Sequence, residues 1–138
     1  MAELPLRSVT VRRRGTLNVK VLPGSNHCGT ANRVVRGEDG HNYMPCNFEV
    51  RVVCRPSLDS RGFLFDQAQI TPRLEKLASS ESTLSCELMS QSCAVELMKA
   101  IYEENPSCQI LDFLFTFSPA PYLADFTEHY GTDQCSRL

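Results

Sequence analysis

The sequence predicts an α+β fold in which a mainly antiparallel sheet carries two helices on one face. Segments that alternate like strands lie towards both ends of the 138-residue chain, and two helix-like segments lie between them. The predicted order of elements is therefore β-β-α-α-β-β. We expect one domain over residues 1–138, because domains commonly have ~100–200 residues. We expect the C-terminal tail from about residue 129 to be mobile.

The N-terminal part, residues 8–21, alternates twice between apolar and polar side chains. Val9 and Val11 form the first alternating set, and Leu17, Val19 and Val21 form the second. Three arginines and a glycine lie between the two sets at residues 12–15. This pattern predicts two half-buried strands joined by a solvated turn. Residues 22–40 are rich in Gly, Asn, Ser and charge and predict a loop.

The middle of the chain predicts one strand and two helices. Residues 48–54 alternate, with Phe48, Val50, Val52 and Cys54 on one face. Residues 67–78 predict a modest helix with Pro72 in its first turn. Residues 85–102 predict the clearest helix, and its apolar stripe comprises Leu84, Leu88, Ala94, Val95, Met98, Ile101 and Tyr102.

The last part of the chain predicts two further strands. Residues 111–117 alternate and are strongly apolar, and two prolines then predict a turn at residues 119–121. Residues 122–127 are expected to return as the partner strand.

Composition excludes several classes of function. The formal charge of −2 gives no general argument for nucleic acid or an anionic membrane as a partner. No apolar run approaches the ~18 residues needed to span a bilayer, and the N-terminus lacks the pattern of a secretory signal. The sequence has no P-loop, dinucleotide fingerprint, G-x-S-x-G elbow or H-E-x-x-H helix. We therefore expect a cytoplasmic protein.

Seven cysteines are many for a chain of this kind, and their number is odd. No C-x-x-C pair occurs among them, so a zinc knuckle has no support, and a disulfide framework is not expected without a secretory signal. We expect most of them to be small buried hydrophobic residues, as Cys54 and Cys93 would be on apolar faces.

The residues Asp39-Gly40-His41-Asn42-Tyr43 come before the strand at residues 48–54. They are followed by an acidic turn with Gly62-Phe63-Leu64-Phe65-Asp66, and Ser85-Cys86-Glu87 opens the second helix. In this order and spacing, residues 38–102 resemble the family of 6-pyruvoyl-tetrahydropterin synthase and 6-carboxy-tetrahydropterin synthase. The resemblance implies the tunnelling fold and a homo-oligomer with active sites between subunits. It also implies a small-molecule substrate of the pterin or purine-like type.

The family's catalysis uses a zinc ion held by three histidines, with an open position for substrate. By resemblance, the zinc ligands here would be His27, Asp39 and His41. One residue separates Asp39 from His41, so on an extended strand both side chains would project from the same face. A carboxylate can replace an imidazole as a zinc ligand.

Three other parts of the family's active site have no match. The family's cysteine would fall near Asn32 and Arg33, and the segment between the helices lacks the Leu-Asp-His relay. Phe117-Ser118-Pro119 occupies the place of the glutamate that anchors the pterin amidine. Asp66, Glu87 and Glu128 are available carboxylates, but they are better explained as helix-start and strand-end residues.

Three interpretations remain open from the sequence. The first is a divergent zinc-dependent lyase or synthase on a pterin-type substrate, with altered catalytic residues. The second is a tunnelling-fold binding or assembly module that has lost catalysis. The third is an unrelated α+β domain.

Overall fold

The computed structural model describes residues 8–21, 35–55, 66–80, 86–118 and 125–136. Their elements, in chain order, are β1 (Val9–Val21), β2 (Val35–Arg36), β3 (Asn42–Arg55), a 3-10 turn (Gln67–Gln69), α1 (Ile70–Ser80), α2 (Cys86–Glu104), β4 (Gln109–Ser118), β5 (Phe126–Gly131) and the short helix α3 (Thr132–Cys135).

The strands form an antiparallel sheet in the order β1-β3-β4-β5, and the two-residue β2 pairs with the start of β3. Alternate residues of β1, β3 and β4 are buried in a single hydrophobic cluster that includes residues of both long helices. Helix α1 packs against β1, and α2 packs against β4 and β5. The predicted α+β fold, with two helices on one face of an antiparallel sheet, is confirmed. The opposite face of the sheet is polar, and we call it the outward face.

The predicted turn at residues 12–15 is wrong, because β1 is one continuous strand. It pairs with β3 in an unbroken register from Val9 opposite Cys54 to Val21 opposite Asn42. Gly15 lies opposite Phe48, and a Cβ atom at Gly15 would be 2.8 Å from Cζ of the Phe48 ring. Position 15 therefore needs a glycine because the Phe48 ring occupies the space of a side chain, and not because the chain turns there.

The helical segment begins at Gln67, as the sequence predicts, but its first three residues form a 3-10 turn and α1 itself begins at Ile70. The carboxylate of Asp66 accepts a hydrogen bond from the amide N–H of Ala68 at 3.0 Å, and the carbonyl oxygen of Asp66 accepts one from Gln69 at 3.1 Å. Pro72 is the third residue of α1, in the first turn, where its missing N–H costs no helical hydrogen bond.

The second helix runs from Cys86 to Glu104, but its predicted apolar stripe is partly wrong. Leu88 is 49% exposed, although it was expected to face the core. The stripe that is buried in the structure is rotated around the helix and comprises Met89, Cys93, Ala94, Leu97, Met98 and Ile101. Among the described residues, no helix has the length and apolarity needed to cross a membrane.

The last strand lies further along the chain than predicted. It was expected at residues 122–127, and β5 is Phe126–Gly131; residues 121–124 lie outside the described ranges. The segment expected to be mobile from about residue 129 continues β5 and then forms α3, where Cys135 is fully buried. The hydroxyl of Thr132 donates to the carbonyl oxygen of Leu111 at 2.7 Å, which attaches α3 to β4.

Five of the seven cysteines have described side chains, and all five are buried: Cys46, Cys54, Cys93, Cys108 and Cys135. The expectation for Cys54 and Cys93 is confirmed. The structure describes neither Cys28 nor the side chain of Cys86.

Candidate functional site

Residues 37–41 form the turn that leads from β2 into β3. The amide N–H of Gly37 donates to the carbonyl oxygen of His41 at 2.7 Å, and the amide of Gly40 donates to that of Gly37 at 3.1 Å. Gly40 has a φ of 84°, in the left-handed region that favours glycine. Residues 39–41 are thus not extended, and the expectation that Asp39 and His41 project from one face of a strand is wrong.

The carboxylate of Asp39 is bound within this turn. One oxygen accepts the amide N–H of His41 at 3.0 Å, and the other accepts the hydroxyl of Tyr43 at 2.5 Å. These bonds, that of Tyr43 above all, lower the pKa of Asp39 below its usual value of 3.8. Asp39 is therefore ionised at neutral pH, which is the form that a metal ligand needs.

A catalytic zinc ion needs three protein ligands, and the described residues do not provide them. Asp39 and the exposed His41 lie in the same turn, but His27, the third predicted ligand, lies outside the described residues. Across the described ranges, no group of three or more His, Cys, Asp or Glu side chains could hold a metal ion. The described residues alone therefore do not fit a zinc site.

The outward face of the sheet carries an open groove with a volume of about 490 Å³. We call it the sheet groove, and it is lined by Arg14, Gly15, Thr16, Asn47, Phe48, Glu49, Thr116, Ser118 and Asp125. Its walls combine hydrogen-bond donors and acceptors from β1, β3 and β4. The volume falls within the range of small-molecule sites, roughly 300–1,000 Å³.

Two carboxylates lie in the sheet groove. Glu49 is bound by Arg14, whose Nε is 2.7 Å away, and more loosely by Arg12 at 3.6 Å. Asp125 is exposed and accepts the hydroxyl of Ser118 at 2.7 Å. The sequence has no glutamate at Phe117-Ser118-Pro119, but the fold brings the Asp125 carboxylate to Ser118.

A second polar cluster lies on the outward face beside the groove. Nε2 of His129 on β5 is 2.6 Å from Oδ1 of Asp112 on β4, and Nη2 of Arg51 on β3 is 3.5 Å from Oδ2. The sequence did not link these three residues, because their contact depends on the strand register. His129 lies at the start of the segment that the sequence predicts to be mobile, and in the structure it belongs to the sheet.

The carboxylates of Asp66 and Glu128, two of the three others named from the sequence, bond to residues close to them in the chain. Asp66 starts the first helix, and its own amide N–H donates to Glu104 at 2.6 Å. Glu128 lies in β5 and accepts the hydroxyl of Tyr130 at 3.4 Å. The side chain of Glu87 lies outside the described residues.

The antiparallel sheet with two helices on one face is the arrangement of the tunnelling fold that the sequence predicts. Among solved structures, the chain is similar to the 6-pyruvoyltetrahydropterin synthase of Plasmodium vivax, in a variant in which a catalytic glutamate is replaced by alanine. The match has a TM-score of 0.51 and covers 91% of this chain and 99% of that chain. Only 10% of the residues are identical, so the similarity concerns the fold. The sequence matches no protein-family model and no curated protein.

Proposed function

We propose that the protein binds a small planar heterocycle of the pterin or purine-like type in the sheet groove. The shared fold with a pterin synthase supports this ligand class, and the mixed donors and acceptors of the groove suit a polar ring. In this proposal the protein acts in the cytoplasm as a homo-oligomer.

The exposed carboxylate of Asp125 is the observation that carries the proposal. The amidine edge of a pterin presents two N–H donors side by side, and an ionised carboxylate can accept both. Asp125 lies beside Ser118, where the resemblance to the pterin synthases places their anchoring glutamate. The remaining donors and acceptors of the groove, such as Thr16 and Asn47, would contact the rest of the ring.

The sharper form of the proposal is a divergent zinc-dependent lyase with His27, Asp39 and His41 as ligands. When bound, zinc would supply Lewis-acid activation of the substrate side chain. The alternative form is a binding or assembly module without catalysis. In the alternative form, the hydrogen bonds of Asp39 to His41 and Tyr43 would serve only to fix the turn.

We expect Asp125→Asn to weaken the binding of pterin to the purified protein, measured by fluorescence titration. Hydrogen bonds to a charged group contribute about 1.5–3 kcal/mol, and their loss weakens binding by roughly tenfold to a hundredfold. Asp133→Asn is the matched control, because Asp133 is an exposed aspartate in α3, away from the groove. Equal weakening in both variants would contradict the role of Asp125, and an absence of saturable binding to the native protein would contradict the proposed function.

A further inference from the structure

The cluster of Arg51, Asp112 and His129 on the outward face has no role in the proposed function. Its histidine is accessible, because the side chain of His129 is 58% exposed. Oδ1 of Asp112 lies 2.6 Å from Nε2 of His129, and Oδ2 of the same carboxylate lies 3.5 Å from Nη2 of Arg51. The carboxylate therefore holds an imidazole and a guanidinium at one place on the sheet.

The strand register fixes this arrangement. Arg51, Leu114 and His129 are successive partners across β3, β4 and β5, so their side chains share the outward face. Neighbouring strands are about 4.8 Å apart, which places the backbones of Arg51 and His129 about 10 Å from each other. Both side chains reach Asp112, which lies between them on β4.

The contact with Asp112 decides which ring nitrogen of His129 can react. A carboxylate only accepts hydrogen bonds, so Nε2 carries the hydrogen and donates it to Oδ1. Nδ1 then holds the lone pair, and within the described ranges no group donates a hydrogen bond to it. An imidazole in this form is a nucleophile. The carboxylate also stabilises the imidazolium cation that forms when Nδ1 makes a bond.

Arg51 and Arg12 favour an anionic group beside this imidazole. The two arginines are direct partners on β3 and β1, a position in which like charges repel. Arg51 is 3.5 Å from Asp112 and Arg12 is 3.6 Å from Glu49, so both ion pairs are long. Nε of Arg51 has no hydrogen-bond partner. Guanidinium groups bind phosphate oxygens through paired N–H donors, so the arginines suit a phosphoryl group.

We propose that His129 is a phosphorylation site whose Nδ1 accepts a phosphoryl group from a small activated phosphate of the phosphoramidate type. The Nδ1 lone pair attacks phosphorus, the P–N bond of the donor breaks, and ammonia leaves with the electrons of that bond. The ring keeps the hydrogen on Nε2 and becomes a cation, whose charge the carboxylate of Asp112 balances. Arg51 binds the phosphoryl oxygens. His129 does not line the sheet groove, so the proposal does not depend on a ligand there.

The test is incubation of the native protein with phosphoramidate at neutral pH, followed by peptide mapping and phosphorus NMR. We expect an acid-labile phosphate on Nδ1 of His129. His41 is the internal reference, because it is also exposed and its imidazole makes no hydrogen bond or ion pair with a carboxylate in the described ranges. Hydrogen bonds to charged groups correspond to a factor of roughly ten to a hundred, so His129 should react faster than His41 by about that factor.

Variants test the partners of His129. Asp112→Asn should slow the modification of His129 by a similar factor and leave that of His41 unchanged. Arg51→Gln should also slow it, and Arg51→Lys should restore part of the rate, because a lysine keeps the positive charge. Glu128→Gln is the matched control: Glu128 precedes His129 in the chain, but its carboxylate contacts Tyr130 at 3.4 Å. This variant should react like the native protein.

The mapping of the native protein does not depend on the folding of any variant. The proposal is overturned if His129 reacts no faster than His41 in the native protein, or if its phosphate is bonded to Nε2. Equal slowing by Glu128→Gln and Asp112→Asn would also overturn it, because the overall charge and not the contact with Asp112 would then set the rate.

Discussion

Asp39 illustrates how a single side chain can be fixed by its own turn. Its two oxygens accept hydrogen bonds from His41 and Tyr43, and both bonds favour the ionised carboxylate. Because the folded-state pKa is lowered, this contribution to stability is complete above the ordinary pKa of 3.8 and is lost as the pH falls through the lowered value. A zinc ion at Asp39 would have to be compatible with these bonds, as is common for ligating carboxylates.

Zinc content distinguishes the lyase form of the proposed function from the form without catalysis, and single-residue variants test the ligands. The lyase form predicts stoichiometric zinc in the purified native protein and its loss in His41→Ala, measured by elemental analysis. His129→Ala is the control, because His129 is bound to Asp112 on the sheet and should leave the zinc content unchanged. Zinc-free native protein would contradict the lyase form, and the binding or assembly module would then be the remaining form of the proposal.

At the scale of elements, β1 depends on a glycine in the middle of a long strand. Gly15→Ala would place a Cβ atom 2.8 Å from the Phe48 ring, which is buried and stacks on Phe115. Because the packed ring has to move, we expect a loss of about 1–3 kcal/mol in the free energy of unfolding, measured by urea denaturation. Gly131→Ala is the control in β5, where the nearest atom is the flexible end of Gln134 at 3.0 Å. An equal or smaller loss in Gly15→Ala than in the control would contradict this explanation.

The elements differ in how well the sequence could predict them. The faces of β3 and the start of the helical segment at residue 67 follow from local period and capping, and the sequence predicts both. The continuity of β1 was missed because Arg13 and Gly15 interrupt its core face. Val9, Val11 and Leu17, however, are all odd-numbered, so in one uninterrupted strand all three side chains lie on the same face of the sheet.

The candidate site was less predictable than the fold. The sheet groove is built from strands that are distant in sequence, and only the register brings Asp125 to Ser118 or Asp112 to His129. Periodicity predicts which face a residue occupies, but it does not predict the partner strand or its register. The resemblance pointed to the turn at residues 39–41, where the described residues supply only two of the three expected ligands.

At the scale of the whole molecule, the sheet is open at β1 and β5, the two ends of the described strand order. The strand β1 contains Arg12, Arg13, Arg14 and Lys20 and no acidic residue, whereas Asp125, Glu128 and Asp133 lie in or beside β5 without lysine or arginine. Unpaired edges are templates for pairing with another chain, and opposite charges favour one edge over the other. We therefore expect head-to-tail pairing of β1 with β5 of a second copy.

Arg12→Pro tests this assembly. The amide N–H of Asn18 donates to Glu75 in α1 at 3.1 Å and so points away from β3. Backbone N–H groups of a strand point to the same edge at every second residue. Arg12 is six residues before Asn18 in the same continuous strand, so its N–H also faces the open edge. We expect Arg12→Pro to keep the β1–β3 ladder and to yield monomers by light scattering, while Arg12→Thr, which keeps the N–H, stays oligomeric. Monomeric native protein, or an oligomer unchanged by Arg12→Pro, would contradict the pairing.

The order of elements along the sheet has a consequence for the unfolded chain. The neighbouring strands β3 and β4 are separated in sequence by both long helices, so folding must close this loop before the central ladder can form. Loop closure costs chain entropy, which grows slowly with loop length. We therefore expect the pairing of β3 with β4 to be the slow, non-local step of folding.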